Sequence, residues 1–175
     1  MVQKKKLTGE RKYQRASCDF PGEMLWGTIT HPARVEVISI GGCFLYTEAL
    51  VPEGEEVDLI FTVEDDDMPI KCTGAVVWVT KEGIKVRENE KLPGFALEFK
   101  KIYPEYRARI DEYVKKQNRI FKTIDHELSK SKPDKSLVKE LFSKARPNDS
   151  THLNHIKKVC RQELRHFRLR RSEAS

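Results

Sequence analysis

The chain has 175 residues and a mass of 20.4 kDa, room for one domain of common size with an extension and too little for a large multi-domain enzyme. Apolar residues make up 38% and charged residues 34%, with a mean hydropathy of -0.61, so a core forms only where the apolar residues are concentrated. The net charge of +6 favours anionic partners, whether nucleotide, nucleic acid or acidic lipid.

That charge is segregated. Residues 1–17 hold six basic and one acidic residue, residues 18–100 seven and sixteen, and residues 101–175 twenty and ten, so an acidic middle is flanked by two basic ends. The first segment, MVQKKKLTGERKYQR, is basic like the start of a secretion signal, but no apolar stretch follows it. The longest apolar runs, such as Ala75 to Val79, are far too short to span a bilayer. Cys18, Cys43, Cys72 and Cys160 form no C-x-x-C pair, which argues against a zinc ribbon or a dense disulfide framework. A cytoplasmic protein with reduced thiols is expected.

From about Ala16 to Phe99 the text reads as strands. Glu23 to Thr30 runs to a break at His31-Pro32, Arg34 to Ile40 meets Gly41-Gly42, and Cys43 to Thr47 leads to a Pro52-Glu53-Gly54 turn. Further runs are Val57 to Val63, Ile70 to Thr80 and Gly94 to Phe99. Val57, Leu59, Phe61 and Val63 alternate with mainly polar residues, the period of a half-buried strand. The acidic run Glu64 to Asp67 lacks the alternation and the glycine of a calcium loop and reads as a solvated hairpin tip. Trp26 and Trp78 read as core or half-buried barrel residues.

At Tyr103-Pro104 the period changes. Pro104 suits a first helical position, and Tyr106, Ile110, Tyr113, Val114, Phe121, Ile124 and Leu128 form one stripe of a long helix. A short helix is expected over about Lys135 to Lys144, carrying Leu137, Val138, Leu141 and Phe142. A third, starting from Asp149 or Ser150 as cap, carries Leu153, Ile156, Val159, Cys160, Leu164 and Phe167. The fold expected is mainly β: a small antiparallel barrel followed by a C-terminal α-helical extension, divided as a leader over 1–17, a barrel over 18–103 and helices over 104–175.

No histidine among His31, His126, His152, His155 and His166 stands beside a nucleophile in a triad context, and no phosphate-binding glycine loop joins a strand to a helix. His152, His155, Cys160 and His166 share one helix, but Cys160 lies off the face of the first two, so no metal site is assigned. No catalysis and no cofactor are expected.

The informative constellation is Arg11-Lys12-Tyr13-Gln14-Arg15, followed about two dozen residues later by Val37-Ile38-Ser39-Ile40-Gly41-Gly42. Two arginines four apart on a basic leader can turn toward one anion, each offering a planar fork to phosphate oxygens or to the N7/O6 edge of guanine. Ser39 supplies a small hydroxyl, and the glycine pair lets a flat ligand approach the backbone. Together they describe a surface purine-phosphate site.

At these residues the sequence resembles the PilZ domain, the bacterial receptor module for cyclic di-GMP. That family pairs R-x-x-x-R with [DN]-x-S-x-x-G, and here Arg11 and Arg15 match the first motif while Ser39 and Gly42 match the second. Pro93-Gly94-Phe95-Ala96-Leu97-Glu98-Phe99 looks like the closing strand of such barrels. The resemblance spans about residues 9–116 and does not reach the tail. It implies a ligand, cyclic di-GMP, at Arg11, Arg15, Ser39, Gly41 and Gly42, and a protein partner met through the barrel surface or the helices.

One motif position departs. Val37 stands where Asp or Asn is expected and offers no side-chain hydrogen bond. A hydrogen bond to a charged group contributes about 1.5–3 kcal/mol, so its loss weakens binding roughly ten- to a hundredfold. Glu36 points to the opposite face if the strand is regular. Two alternatives therefore stand beside the receptor. One is a degenerate PilZ-type interaction module that binds cyclic di-GMP weakly or not at all. The other is a nucleic-acid binder acting through Lys157, Lys158, Arg161, Arg165, Arg168, Arg170 and Arg171 of the last helix. The same helices also offer a seam for homo-oligomers.

Overall fold

The computed structural model describes residues 12–64, 67–87 and 90–167. Among them six strands close an antiparallel barrel in the order β1-β2-β3-β6-β5-β4. They are β1 (Ala16–Trp26), β2 (Ile29–Ser39), β3 (Gly42–Tyr46), β4 (Glu56–Phe61), β5 (Ile70–Arg87) and β6 (Glu90–Ile102). Alternation carries the architecture: in β4, Val57, Leu59 and Phe61 are buried while Glu56, Asp58 and Ile60 are exposed. Phe20, Met24, Val35, Leu45, Ile70, Phe95 and Leu97 complete the barrel interior from the other strands.

Two local expectations change. The first turn is Gly27-Thr28 and not His31-Pro32, which lie inside β2 with Pro32 opposite Glu23. Gly27 adopts a φ of 61°, which favours a residue without Cβ, and so marks the reversal. The second change is in β2, where the pairing to β3 passes from Val35 opposite Leu45 to Val37 opposite Phe44, leaving Glu36 as the extra residue of a β-bulge. The strand is therefore not regular, and Val35 and Ile38, three apart, both face the core.

Helices α1 (Pro104–Leu128), α2 (Lys135–Ala145) and α3 (Leu153–Phe167) follow. Pro104 opens α1, and its fixed φ suits the first turn. Asp134 caps α2 by accepting from Ser136 N and Leu137 N, each at 3.0 Å, a cap whose removal costs about 1 kcal/mol. The third helix begins later than its expected caps. His152 O accepts the first helical N–H from Ile156, while Ser150 Oγ accepts from His152 N and closes a turn ahead of the helix.

The apolar stripe of α1 has two addresses. Near its start, Ile110, Tyr113 and Val114 are buried, with Tyr113 edge-on to Phe20 of the barrel at 4.9 Å. Farther on, Phe121 meets Phe142 of α2 edge-on at 6.5 Å, and Cys160 of α3 donates to Phe121 O. Barrel and helices consequently share one apolar core. Glu127, near the C-terminus of α1, accepts from Lys130 and, at 2.8 Å, from Asp134 N, fastening α1 to the cap of α2.

Candidate functional site

The motif turn lies where β2 passes into β3. Ser39 Oγ donates to Gly42 O at 3.2 Å and accepts from Gly41 N at 3.3 Å, so the hydroxyl braces the turn from within. Phe99 N donates to Gly41 O at 2.9 Å. Arg107, in the first turn of α1, donates from Nη1 to Ile40 O at 2.7 Å and places a guanidinium against the turn.

The two glycines differ. A Cβ on Gly42 would stand 2.1 Å from Leu97 O and 3.1 Å from Leu97 C, so its missing side chain permits the close approach of β3 to β6. A Cβ on Gly41 would meet only the ring of Tyr13, with Cδ2 and Cε2 each at 2.6 Å. Gly41 thus leaves bare backbone toward the leader, and Gly42 toward the barrel.

From residue 13 onward the leader lies against the turn and the helices. Tyr13 lies on Gly41, Gln14 Oε1 accepts from Asn118 Nδ2 of α1 at 3.2 Å, and Arg15 N donates to His166 O of α3 at 3.2 Å. Ser17 is held most firmly. Its N–H donates to Glu163 Oε2 at 3.3 Å, and its carbonyl accepts from Tyr113 OH at 3.1 Å and Arg146 Nη1 at 3.3 Å. Arg146 Nη2 closes the cluster on Glu163 Oε1 at 2.7 Å. Burial is the largest influence on the Arg146 guanidinium and lowers its affinity for the proton, but Glu163 together with Tyr113, Asp149 and Cys18 outweighs it and the net shift is upward. The helices supply polar anchors that the few apolar residues of the leader do not.

The described site residues Arg15, Ser39, Gly41 and Gly42 therefore converge on one end of the barrel, with the Arg15 side chain exposed. Arg11 lies outside the described residues. Val37 is half-buried and pairs with Ser17 of β1. The neighbouring Glu36 is fully buried and ion-paired to Arg34 Nε at 2.8 Å, and Arg34 also faces Asp19 and the Tyr46 ring.

Tyr13, Arg107, Arg146 and Glu163 were not singled out by the sequence. Glu163 carried a readable signal: it falls three residues after Cys160 and seven after Ile156, on the apolar face of α3, where an isolated acid implies a buried partner. Tyr13 and Arg107 carried none, since their partners are fixed only by the closed fold.

Other features are peripheral to this turn. A depression of about 780 Å³ on the barrel wall, lined by Glu23, Leu25, Asp58, Ile60, Lys71 and Tyr103 among others, includes none of the motif residues. Lys157, Lys158, Arg161 and Arg165 are exposed on α3, whereas Arg168, Arg170 and Arg171 lie outside the described residues. Among the described residues no group of His, Cys, Asp and Glu is arranged to hold a metal, and no helix is long and apolar enough to cross a membrane.

Residues 10–116 match the family model described as PilZ domain, more than half of the chain, and the chain belongs to the PilZ domain family. Solved structures share the fold. The Bacillus subtilis inhibitor of motility (MotI/DgrA) matches at 16% identity and a TM-score of 0.52, covering 63% of this chain and 52% of that one. The PilZ domain of Escherichia coli YcgR, solved with c-di-GMP, matches at 14% and 0.50, covering 63% and 93%. The structure of E. coli YcgR in complex with c-di-GMP matches at 15% and 0.53, covering 67% and 50%. The chain thus spans about half the length of MotI/DgrA and of that longer YcgR chain. No curated protein matches it.

Proposed function

We propose that this chain is a cyclic di-GMP receptor of adaptor type, which takes the nucleotide between Arg11 and Arg15 of the leader and the Ser39–Gly42 turn. The observation that carries this reading is the position of Tyr13, two residues before Arg15, against Gly41 of the second motif. The family supports it, as does the presence of c-di-GMP in the YcgR structures. Guanidinium forks suit both the phosphodiesters and the guanine edges of such a ligand.

Binding is coupled to the helices through the leader. Arg15 is tied by its N–H to α3, and Gln14 by its side chain to α1. A nucleotide drawing the Arg15 side chain toward the turn changes these contacts and with them the surface that the 104–175 extension shows to a protein partner in the cytoplasm. Leader, barrel and extension then act as clamp, floor and output. The role is binding without bond chemistry. Calorimetric titration of the full chain with cyclic di-GMP, against Arg15→Ala, tests the reading.

One observation favours a second reading, a PilZ-type interaction module without nucleotide. Val37 offers no polar group at its motif position, and Glu36 is already engaged by Arg34.

A further inference from the structure

The Ser39–Gly42 turn is a fixed platform. Ser39 Oγ braces it from within, Phe99 N and Arg107 Nη1 hold the carbonyls of Gly41 and Ile40, and Gly42 packs directly against Leu97 O. A ligand approaching the bare backbone at Gly41 meets a surface that does not yield.

What yields is the side chain lying on that surface. The Tyr13 ring has Cδ2 and Cε2 each 2.6 Å from the position of a Gly41 Cβ, yet Tyr13 remains 42% exposed and sits on the leader, outside the barrel core. Immediately downstream the chain is tethered, through Gln14 to Asn118 and through Arg15 N to His166 O. The ring can therefore leave by side-chain rotation, or by lifting of the chain before Gln14, ahead of any change in the contacts of Gln14 and Arg15.

We propose that Tyr13 is a gate on the nucleotide site, its ring occupying the Gly41 face that a purine base must take, so that ligand and ring compete for the same backbone. This rests on the receptor reading above. Both occupants are flat and aromatic, and the ring already covers the Gly41 backbone. The ring thus raises the concentration at which the receptor fills, and its displacement is the first movement that binding imposes on the leader. Tyr13 differs in sign from Arg15: Arg15 favours the bound state, and Tyr13 opposes it.

The test is calorimetric titration of cyclic di-GMP into the full chain and its Tyr13→Ala, Tyr13→Phe and Arg15→Ala variants. Site-specific 3-fluorotyrosine at position 13 reports the ring by fluorine NMR. Removing one aromatic contact predicts binding about two- to tenfold tighter for Tyr13→Ala, wild-type affinity for Tyr13→Phe, weaker binding for Arg15→Ala, and a fluorine resonance that moves to its solvent-exposed position on saturation. Wild-type binding with Tyr13→Ala unchanged or weaker overturns the gate and leaves the receptor standing. Absence of binding by the wild type and by Tyr13→Ala overturns both.

Discussion

Glu163 accepts the backbone N–H of Ser17 at 3.3 Å, joining the last described helix to the first strand across 146 residues of sequence. The same carboxylate holds Arg146 at 2.7 Å, with side-chain exposures of 3% and 16%, so the pair is removed from water at both ends. The contact lies beside the motif strand, since Ser17 pairs with Val37. The extension thus meets β1 directly beside the motif strand.

Removing one partner of a buried ion pair strands the other, at a cost of about 3–5 kcal/mol. Glu163→Ala leaves both Arg146 and Ser17 N without this acceptor and should lower stability by that amount. Urea denaturation checks it through a fall in midpoint at constant slope. A loss within about 0.5 kcal/mol, typical of a surface substitution, would show that the contact is not structural.

The glycine pair should separate by stability. Gly42→Ala places a Cβ against the Leu97 carbonyl and forces β3 from β6, an overpacking worth about 1–3 kcal/mol. Gly41→Ala meets only the Tyr13 ring, which can swing aside. Thermal denaturation of Gly41→Ala should match the wild type while nucleotide binding is lost. Equal destabilisation by the two substitutions would contradict this division.

The pH dependence has a predicted sign at each end. Burial raises the thiols, with Cys72 and Cys160 pushed from 9.0 up to about 12 and Cys18 and Cys43 well above their ordinary value. Their contribution to stability is complete below pH 9 and is lost as pH rises toward 12, because the unfolded chain ionises first. Glu127 is lowered from 4.5 by the Lys130 hydrogen bond and by the Asp134 N–H, so its contribution is present above pH 4.5 and is lost in acid below it. Melting temperature against pH should plateau between these limits. The four thiols should resist a thiol reagent at pH 8 until denaturant is added.

Val37 is half-buried on β2 beside the docked end of the leader. Val37→Asp restores the acceptor expected of the motif, and a charged hydrogen bond of about 1.5–3 kcal/mol should tighten cyclic di-GMP binding roughly ten- to a hundredfold. Calorimetry of the variant checks this, and unchanged affinity would place the determinant elsewhere.

Strand and helix identity was legible because period 2 and the helical stripe are local: Val57 to Phe61 and Ile110 to Ile124 bury as their spacing implies. The bulge at Glu36 was not, since an extra residue in one strand shows only in its pairing with Phe44 and Leu45. Nor did β5 stop at Thr80. It runs on to Arg87, paired with β6 beyond the apolar run, and pairing partners are not written in local sequence. At the candidate site, motif order and spacing proposed Arg15 and Ser39, and the distinct settings of Gly41 and Gly42 were not legible because they depend on Leu97 and Tyr13, distant in the chain.

The most direct measurement is the heat of cyclic di-GMP binding to the full chain beside Arg15→Ala. A saturable isotherm for the wild type, weakened or abolished by Arg15→Ala, is the predicted result. No heat from the wild type at high micromolar nucleotide, or an isotherm that Arg15→Ala leaves unchanged, would contradict a receptor built on the leader and the Ser39–Gly42 turn.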